Sequence, residues 1–207
     1  MPLRELAGPI GRLEALLDTP ETNVRAAVVF AHPHTEYGGT MHTKVVYQAA
    51  KALARIGCAV LRFNFRGAGA SAGSFTNGPG EIEDFRAALD FMHDRYPSAR
   101  MWAGGMSFGS YVGMTAGAAD PRVSTLIGIA LPVTRYDFAP VATSTKAKFF
   151  IHGERDEICP VREVRQFYAR CEEPKELVVI DAADHLFDGK LAELAEAIED
   201  LLGDWYE

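Results

Sequence analysis

Five residues, Gly105-Met106-Ser107-Phe108-Gly109, set a serine between two glycines where a short apolar run meets a small-residue segment containing Gly113, Ala116 and Gly117. A serine on a tight strand-to-helix bend is thrust outward, and it needs small flanking residues because a Cβ on either side would strike the bend or a neighbouring strand. A serine hydroxyl is a weak nucleophile near neutral pH, so it also needs a base within hydrogen-bond reach and a third group to orient that base. Two later loops supply candidates: Asp156 in HGERDE follows the run KFFIH, and His185 in DAADHLF follows the run ELVVI. Glu154 and Glu157 compete with Asp156 for the orienting role. Asp181 and Asp184 flank His185 on its own loop, where Asp184 reads as a turn residue. Negative charge developing on an attacked carbonyl oxygen needs backbone N–H donors. Phe108 offers one by following the serine at a helix start; His34, in the loop after the first parallel run, offers the second, because Pro33 has no N–H.

Other residues invite chemistry more weakly. His32, His34 and His42 could suggest a metal, but no carboxylate follows at ligand spacing and Pro33 interrupts any strand alternation, so no metal site is expected. His32 reads as a loop-shaping residue, His93 as a helix-surface residue and His152 as a strand-end residue. Gly67, Gly69 and Ala72 in RGAGASAG mimic a dinucleotide fingerprint, yet SFTNGPG intervenes before the helical face begins at Glu81. A nucleotide loop must open straight into its helix, so these glycines read as a flexible loop near the site, and no cofactor is expected. Cys58, Cys159 and Cys171 match neither a zinc pattern nor a disulfide framework, and no histidine is placed to activate Cys159.

The elements that must position these residues follow from periodicity. Ala26–Ala31, Cys58–Phe63, Met101–Gly105, Leu126–Leu131, Lys148–His152 and Glu176–Ile180 are short, mostly unalternated runs, as strands buried on both faces are. Between them, Val46, Ala49, Ala50 and Leu53, then Ile82, Phe85, Leu89, Met92 and Tyr96, and finally Leu191, Leu194, Ile198, Leu201 and Trp205 recur at helical steps. Strand and helix alternate throughout, which predicts an α/β fold: an open, mostly parallel, doubly wound sheet with helices on both faces and functional loops at the carboxyl ends of its strands. Partial alternation over Ile10–Leu17 adds one or two antiparallel edge strands at the start.

The chain has 207 residues with no internal repeat or Pro/Ser-rich linker, so residues 1–207 are read as one domain. Hydrophobic residues at 48% and charged residues at 24% exclude a disordered or fibrous chain. With 21 Lys and Arg against 28 Asp and Glu, the net charge of -7 disfavours nucleic acid and membrane surfaces as partners and favours a small molecule. No stretch approaches the roughly 20 apolar residues that cross a bilayer, and the first residues lack the uninterrupted apolar core of a secretory leader, so a cytoplasmic location is expected.

Taken together, the G-x-S-x-G elbow, AHPHTEYGGTMHTKVV, LRFNFRGAGASAG, the HGERDEICP loop and the DAADHLF loop resemble the small lidless α/β-hydrolases related to dienelactone hydrolase, over nearly the whole chain. Dienelactone hydrolase itself departs at the elbow, where it carries cysteine in place of Ser107. The resemblance implies a serine hydrolase cleaving carboxylic esters, with Ser107, Asp156 and His185 as a triad. Only fifteen residues, Val133 to Ala147, separate two of the predicted strands, enough for one short helix but not a cap domain. An open cleft bordered by Tyr37, Phe75, Tyr136 and Phe138 is therefore expected, suited to short or medium acyl chains. A thioesterase, lactonase or peptidase would use the same triad, and a non-catalytic binding protein could share the fold. A monomer and a homodimer are both compatible with this sequence.

Overall fold

Strands β3 (Ala26–Ala31) and β4 (Cys58–Phe63) are buried at every position, as unalternated apolar runs must be when helices cover both faces of a sheet. In the computed structural model, which describes residues 4–21 and 23–205, they pair in parallel over their full length. Strands β5 (Arg100–Met106), β6 (Val123–Ile129), β7 (Ala147–Gly153) and β8 (Lys175–Ile180) continue the parallel array. The hairpin of β1 (Glu5–Gly8) and β2 (Gly11–Asp18) extends it antiparallel, giving the order β1-β2-β4-β3-β5-β6-β7-β8. Of the one or two antiparallel edge strands expected from Ile10–Leu17, two are present, β2 within that range and β1 ahead of it.

Alternate side chains feed two apolar layers. Val28, Phe30, Trp102, Ile127 and Phe149 meet helices α1 (Lys44–Arg55) and α6 (Leu191–Gly203). Ala27, Val29, Leu61 and Ala103 meet α2 (Pro79–Arg95) and α3 (Phe108–Ala119), and Phe150 packs on Phe167 of α5 (Val161–Arg170). Between β6 and β7 the chain forms a single four-residue helix, α4 (Ala139–Ala142), and no cap rises over the sheet. The last helix ends at Gly203, short of Trp205. Trp205 instead packs its ring edge-on against Phe149, while Arg25 donates to the carbonyls of Gly203 and Trp205. No described helix is long and apolar enough to cross a membrane.

The glycine-rich segment after β4 differs from the flexible loop expected of it. Glu14 of β2 accepts from Asn64 Nδ2 at 2.7 Å and from the Ala70 N–H at 2.9 Å, and the Ser71 hydroxyl donates to the Asn64 carbonyl at 2.7 Å. Further along, buried Arg66 donates through Nε and Nη2 to both carboxylate oxygens of buried Asp84, and Glu81 accepts from the N–H groups of Thr76 and Gly78. Removing one partner of such a buried ion pair leaves an uncompensated charge, at a cost of about 3–5 kcal/mol. Polar side chains on neighbouring elements therefore tie the loop down despite its glycines, and it delivers Phe75 to the site.

Candidate active site

Between β5 and α3 the chain reverses at Ser107, whose φ of +53° lies in the left-handed region that a side chain seldom occupies. Holding a non-glycine residue there costs on the order of 1–3 kcal/mol, which the surrounding bonds must offset. The Ser107 N–H donates to the Ile129 carbonyl at 2.8 Å, and its own carbonyl accepts the Ser110 hydroxyl at 2.6 Å. The flanking glycines are required by close approach. A Cβ on Gly105 would lie 2.5 Å from the Gly109 backbone, and one on Gly109 would lie 2.4 Å from the His32 carbonyl oxygen. The hydroxyl is thereby presented at the carboxyl edge of the sheet, with the residue 9% exposed.

The structure brings Ser107, Asp156 and His185 together from three loops. His185 Nε2 lies 3.0 Å from Ser107 Oγ, and His185 Nδ1 lies 2.7 Å from Asp156 Oδ2. A carboxylate only accepts, so Nδ1 carries the proton and Nε2 keeps a lone pair directed at the serine hydroxyl. Asp156 Oδ1 accepts the N–H groups of Ile158 and Cys159 at 2.8 and 2.9 Å. Burial pushes the Asp156 carboxyl up, but the hydrogen bond and charge of His185, the Cys159 N–H and His152 outweigh it and hold the group below its usual range. Two of the competing carboxylates are engaged otherwise: Glu154 accepts from the Ala182 N–H, and Asp184 caps its turn by accepting from Leu186 and Asp188. Burial also raises the Cys159 thiol, which works against the thiolate a sulfur nucleophile needs.

The two residues expected to offer backbone donors to a developing oxyanion line the same cleft as this serine. Phe108 is the first residue of α3 and His34 precedes a short 3-10 turn, Thr35–Tyr37. Among the described residues, neither N–H is engaged by a protein acceptor. The His34 ring packs against Tyr37, Phe75 and Phe108 at centroid distances of 4.6, 4.4 and 5.3 Å, and burial lowers its pKa, favouring a neutral imidazole.

His32 holds this loop in place. Its Nε2 accepts the Phe65 N–H at 3.0 Å, so Nδ1 carries the proton and donates to the Pro33 carbonyl at 2.6 Å. Both nitrogens are engaged by protein, and neither is available to a metal. Burial lowers the His32 pKa to about 4. The unfolded chain takes up a proton near the ordinary pKa of about 6.5 and the native state does not, so stability falls as pH drops from there to about 4. His32 accounts for about 3 kcal/mol of that fall. Urea unfolding at pH 7 and pH 5 should show a smaller loss of stability in His32→Gln than in the natural chain; equal losses would contradict this.

A cleft of about 630 Å³ opens over the serine, lined among others by Pro33, His34, Tyr37, Phe108, Pro132, Tyr136 and His185. Tyr37, at 81% exposed, and Tyr136 border it as expected. Phe75 and Phe138 do not. Phe75 stands behind His34 and Phe108, supporting them from the rear. Phe138 is 3% exposed and packs edge-on against Tyr111 and Phe167, because the start of α4 turns its ring inward. Four lining residues escape the sequence reading: Pro132, Arg135, Ile158 and Leu186. Ile158 and Leu186 lie two and one positions beyond Asp156 and His185, and that adjacency is the signal that marks them.

An eight-stranded, mostly parallel sheet flanked by helices, with a serine on a strand-to-helix elbow and no cap, defines a lidless α/β serine hydrolase. Residues 22–148 match the family described as Hydrolase_4, serine aminopeptidase, S33, and the chain belongs to that family. It is 37% identical to an α/β serine hydrolase homologue from Coxiella burnetii, covering 96% of this chain and 95% of that one with a TM-score of 0.91. A serine hydrolase without a lid from Xanthomonas campestris is 38% identical, with 97% and 92% covered and a TM-score of 0.89. An uncharacterized protein of Rickettsia prowazekii, RP471, is 35% identical over 98% of this chain and 89% of its own length. The protein is a hydrolase.

Proposed function

We propose that this hydrolase cleaves carboxylic esters of short to medium acyl chain through an acyl-enzyme on Ser107. The observation that carries the reading is the unbroken hydrogen-bond chain Asp156–His185–Ser107, at 2.7 and 3.0 Å. His185 Nε2 takes the Ser107 proton as Oγ attacks the ester carbonyl. The carbonyl oxygen gains the charge and meets the N–H groups of His34 and Phe108. As the tetrahedral adduct collapses, the protonated His185 returns its proton to the departing alkoxide. Asp156 stabilises the imidazolium between the two transfers and keeps its own proton-free state. Water, deprotonated by His185, then attacks the acyl-enzyme, and the second collapse releases the carboxylic acid and restores Ser107.

The substrate range follows from the cleft. Tyr37, Tyr136, Pro33, Pro132 and Ile158 provide apolar surface beside the serine, but the segment between β6 and β7 raises no wall that would enclose a long chain. A series of nitrophenyl esters from acetate to palmitate should give the highest kcat/KM between acetate and hexanoate. A maximum at palmitate would contradict the open-cleft reading while leaving the triad untouched.

A further inference from the structure

His152 lies one residue before the end of β7, fully buried, and the reaction scheme above leaves it without a part. Its Nε2 lies 2.8 Å from the Cys159 carbonyl oxygen, which only accepts, so Nε2 carries the proton and donates. The same Nε2 is 3.4 Å from Asp156 Oδ2, the oxygen that faces His185 Nδ1 at 2.7 Å. The other ring nitrogen, Nδ1, is buried and has no hydrogen-bond partner among the described residues. A proton there would be an unpaired donor on a buried cation, so the ring is held neutral in one tautomer. Burial accordingly pushes its pKa down.

These contacts close a circuit. The Cys159 N–H donates to Asp156 Oδ1 at 2.9 Å, while the Cys159 carbonyl accepts from His152. His152 in turn belongs to β7, which pairs with β6 on one side and β8 on the other. The turn 156–159 is thus fastened to the interior of the sheet by this imidazole as well as by the Asp156 N–H, which donates to the Gly153 carbonyl at 3.3 Å, and a withdrawal of Asp156 from His185 works against both.

We propose that His152 is a positioning residue that holds Asp156 against His185, through its bond to the Cys159 carbonyl and the approach of the same N–H to Asp156 Oδ2. The proposal rests on the hydrolase reading above. It also explains how a carboxylate flanked by two imidazoles directs the catalytic proton to one of them. His185 retains 15% side-chain exposure and pairs closely with Asp156, whereas protonation of His152 would strand a buried Nδ1–H.

The test compares His152→Gln with His152→Asn. A glutamine amide nitrogen reaches about as far as imidazole Nε2, whereas an asparagine amide stops near the Nδ1 position, so the two differ in reach and not in chemistry. His152→Gln should keep kcat on nitrophenyl butyrate within about fivefold of the natural chain. His152→Asn should lose roughly 30- to 100-fold in kcat with KM changed less than about threefold, the scale expected when a supporting partner of a reacting group is removed. The downfield proton resonance of His185 Nδ1–H should persist in the glutamine variant and move upfield in the asparagine variant. If the asparagine variant does not fold, His152→Leu takes its place in the same comparison. Equal turnover by both variants with an unchanged resonance would overturn the proposal, as would losses confined to KM. Absence of ester turnover by the natural chain would count against the hydrolase reading instead, and the resonance, which needs no substrate, would still decide the role of His152.

Discussion

Replacing Ser107 with alanine is expected to cut turnover of a nitrophenyl ester by about a millionfold, with folding unaffected. The size follows from what is lost. Without Oγ there is no covalent intermediate, and His185 has no alcohol to deprotonate; what survives is substrate binding and the two N–H donors of His34 and Phe108, which alone leave a residual rate of about a thousandfold or more over water. Folding survives because the elbow is held through the backbone groups of residue 107, its N–H donating to the Ile129 carbonyl and its carbonyl accepting the Ser110 hydroxyl, and alanine keeps both. Steady-state kinetics with thermal unfolding of the same preparation checks both halves. A variant within tenfold of the natural rate would remove the acyl-enzyme.

Asp156→Asn is expected to lower kcat by about ten-thousandfold near neutral pH, with little change in KM. The surrounding donors dictate how the amide must sit. Oδ1 accepts two backbone N–H groups, from Ile158 and Cys159, so the amide oxygen takes that place and the NH2 is forced to the Oδ2 position. There it confronts His185 Nδ1 as a donor, and the imidazole responds by moving its proton to Nε2. Ser107 then faces an N–H in place of a lone pair and loses its base. The same NH2 also meets the Nε2–H of His152, 3.4 Å from Oδ2, an unfavourable meeting of two donors. A loss under a hundredfold would show that His185 finds its orientation elsewhere.

Much of this arrangement is legible in the residues because local and global demands agree. The buried runs at 26–31 and 58–63 are strands at the predicted bounds, since only a sheet covered on both faces accommodates six consecutive buried positions. Ser107, Asp156 and His185 are readable because each follows such a run directly, and parallel strands deliver their following loops to one edge. What escapes depends on tertiary direction. Helix α5 is not among the expected helices, although Val161, Val164, Phe167 and Tyr168 recur at helical steps among its arginines; only Val164 and Phe167 of its ten residues are buried. Tyr136 and Phe138, two residues apart and alike in type, part company at α4, which turns one ring to the cleft and the other to the core. The role suggested here for His152 has no local signature at all. It arises from a contact between a strand end and a carbonyl seven residues later, visible only once the loop has closed.

The most direct measurement is labelling with a fluorophosphonate, followed by mass mapping of the modified peptide. A single adduct on Ser107, absent from Ser107→Ala and strongly slowed in Asp156→Asn, is the result this account predicts. An unlabelled natural chain, or an adduct on another serine such as Ser110, would contradict it.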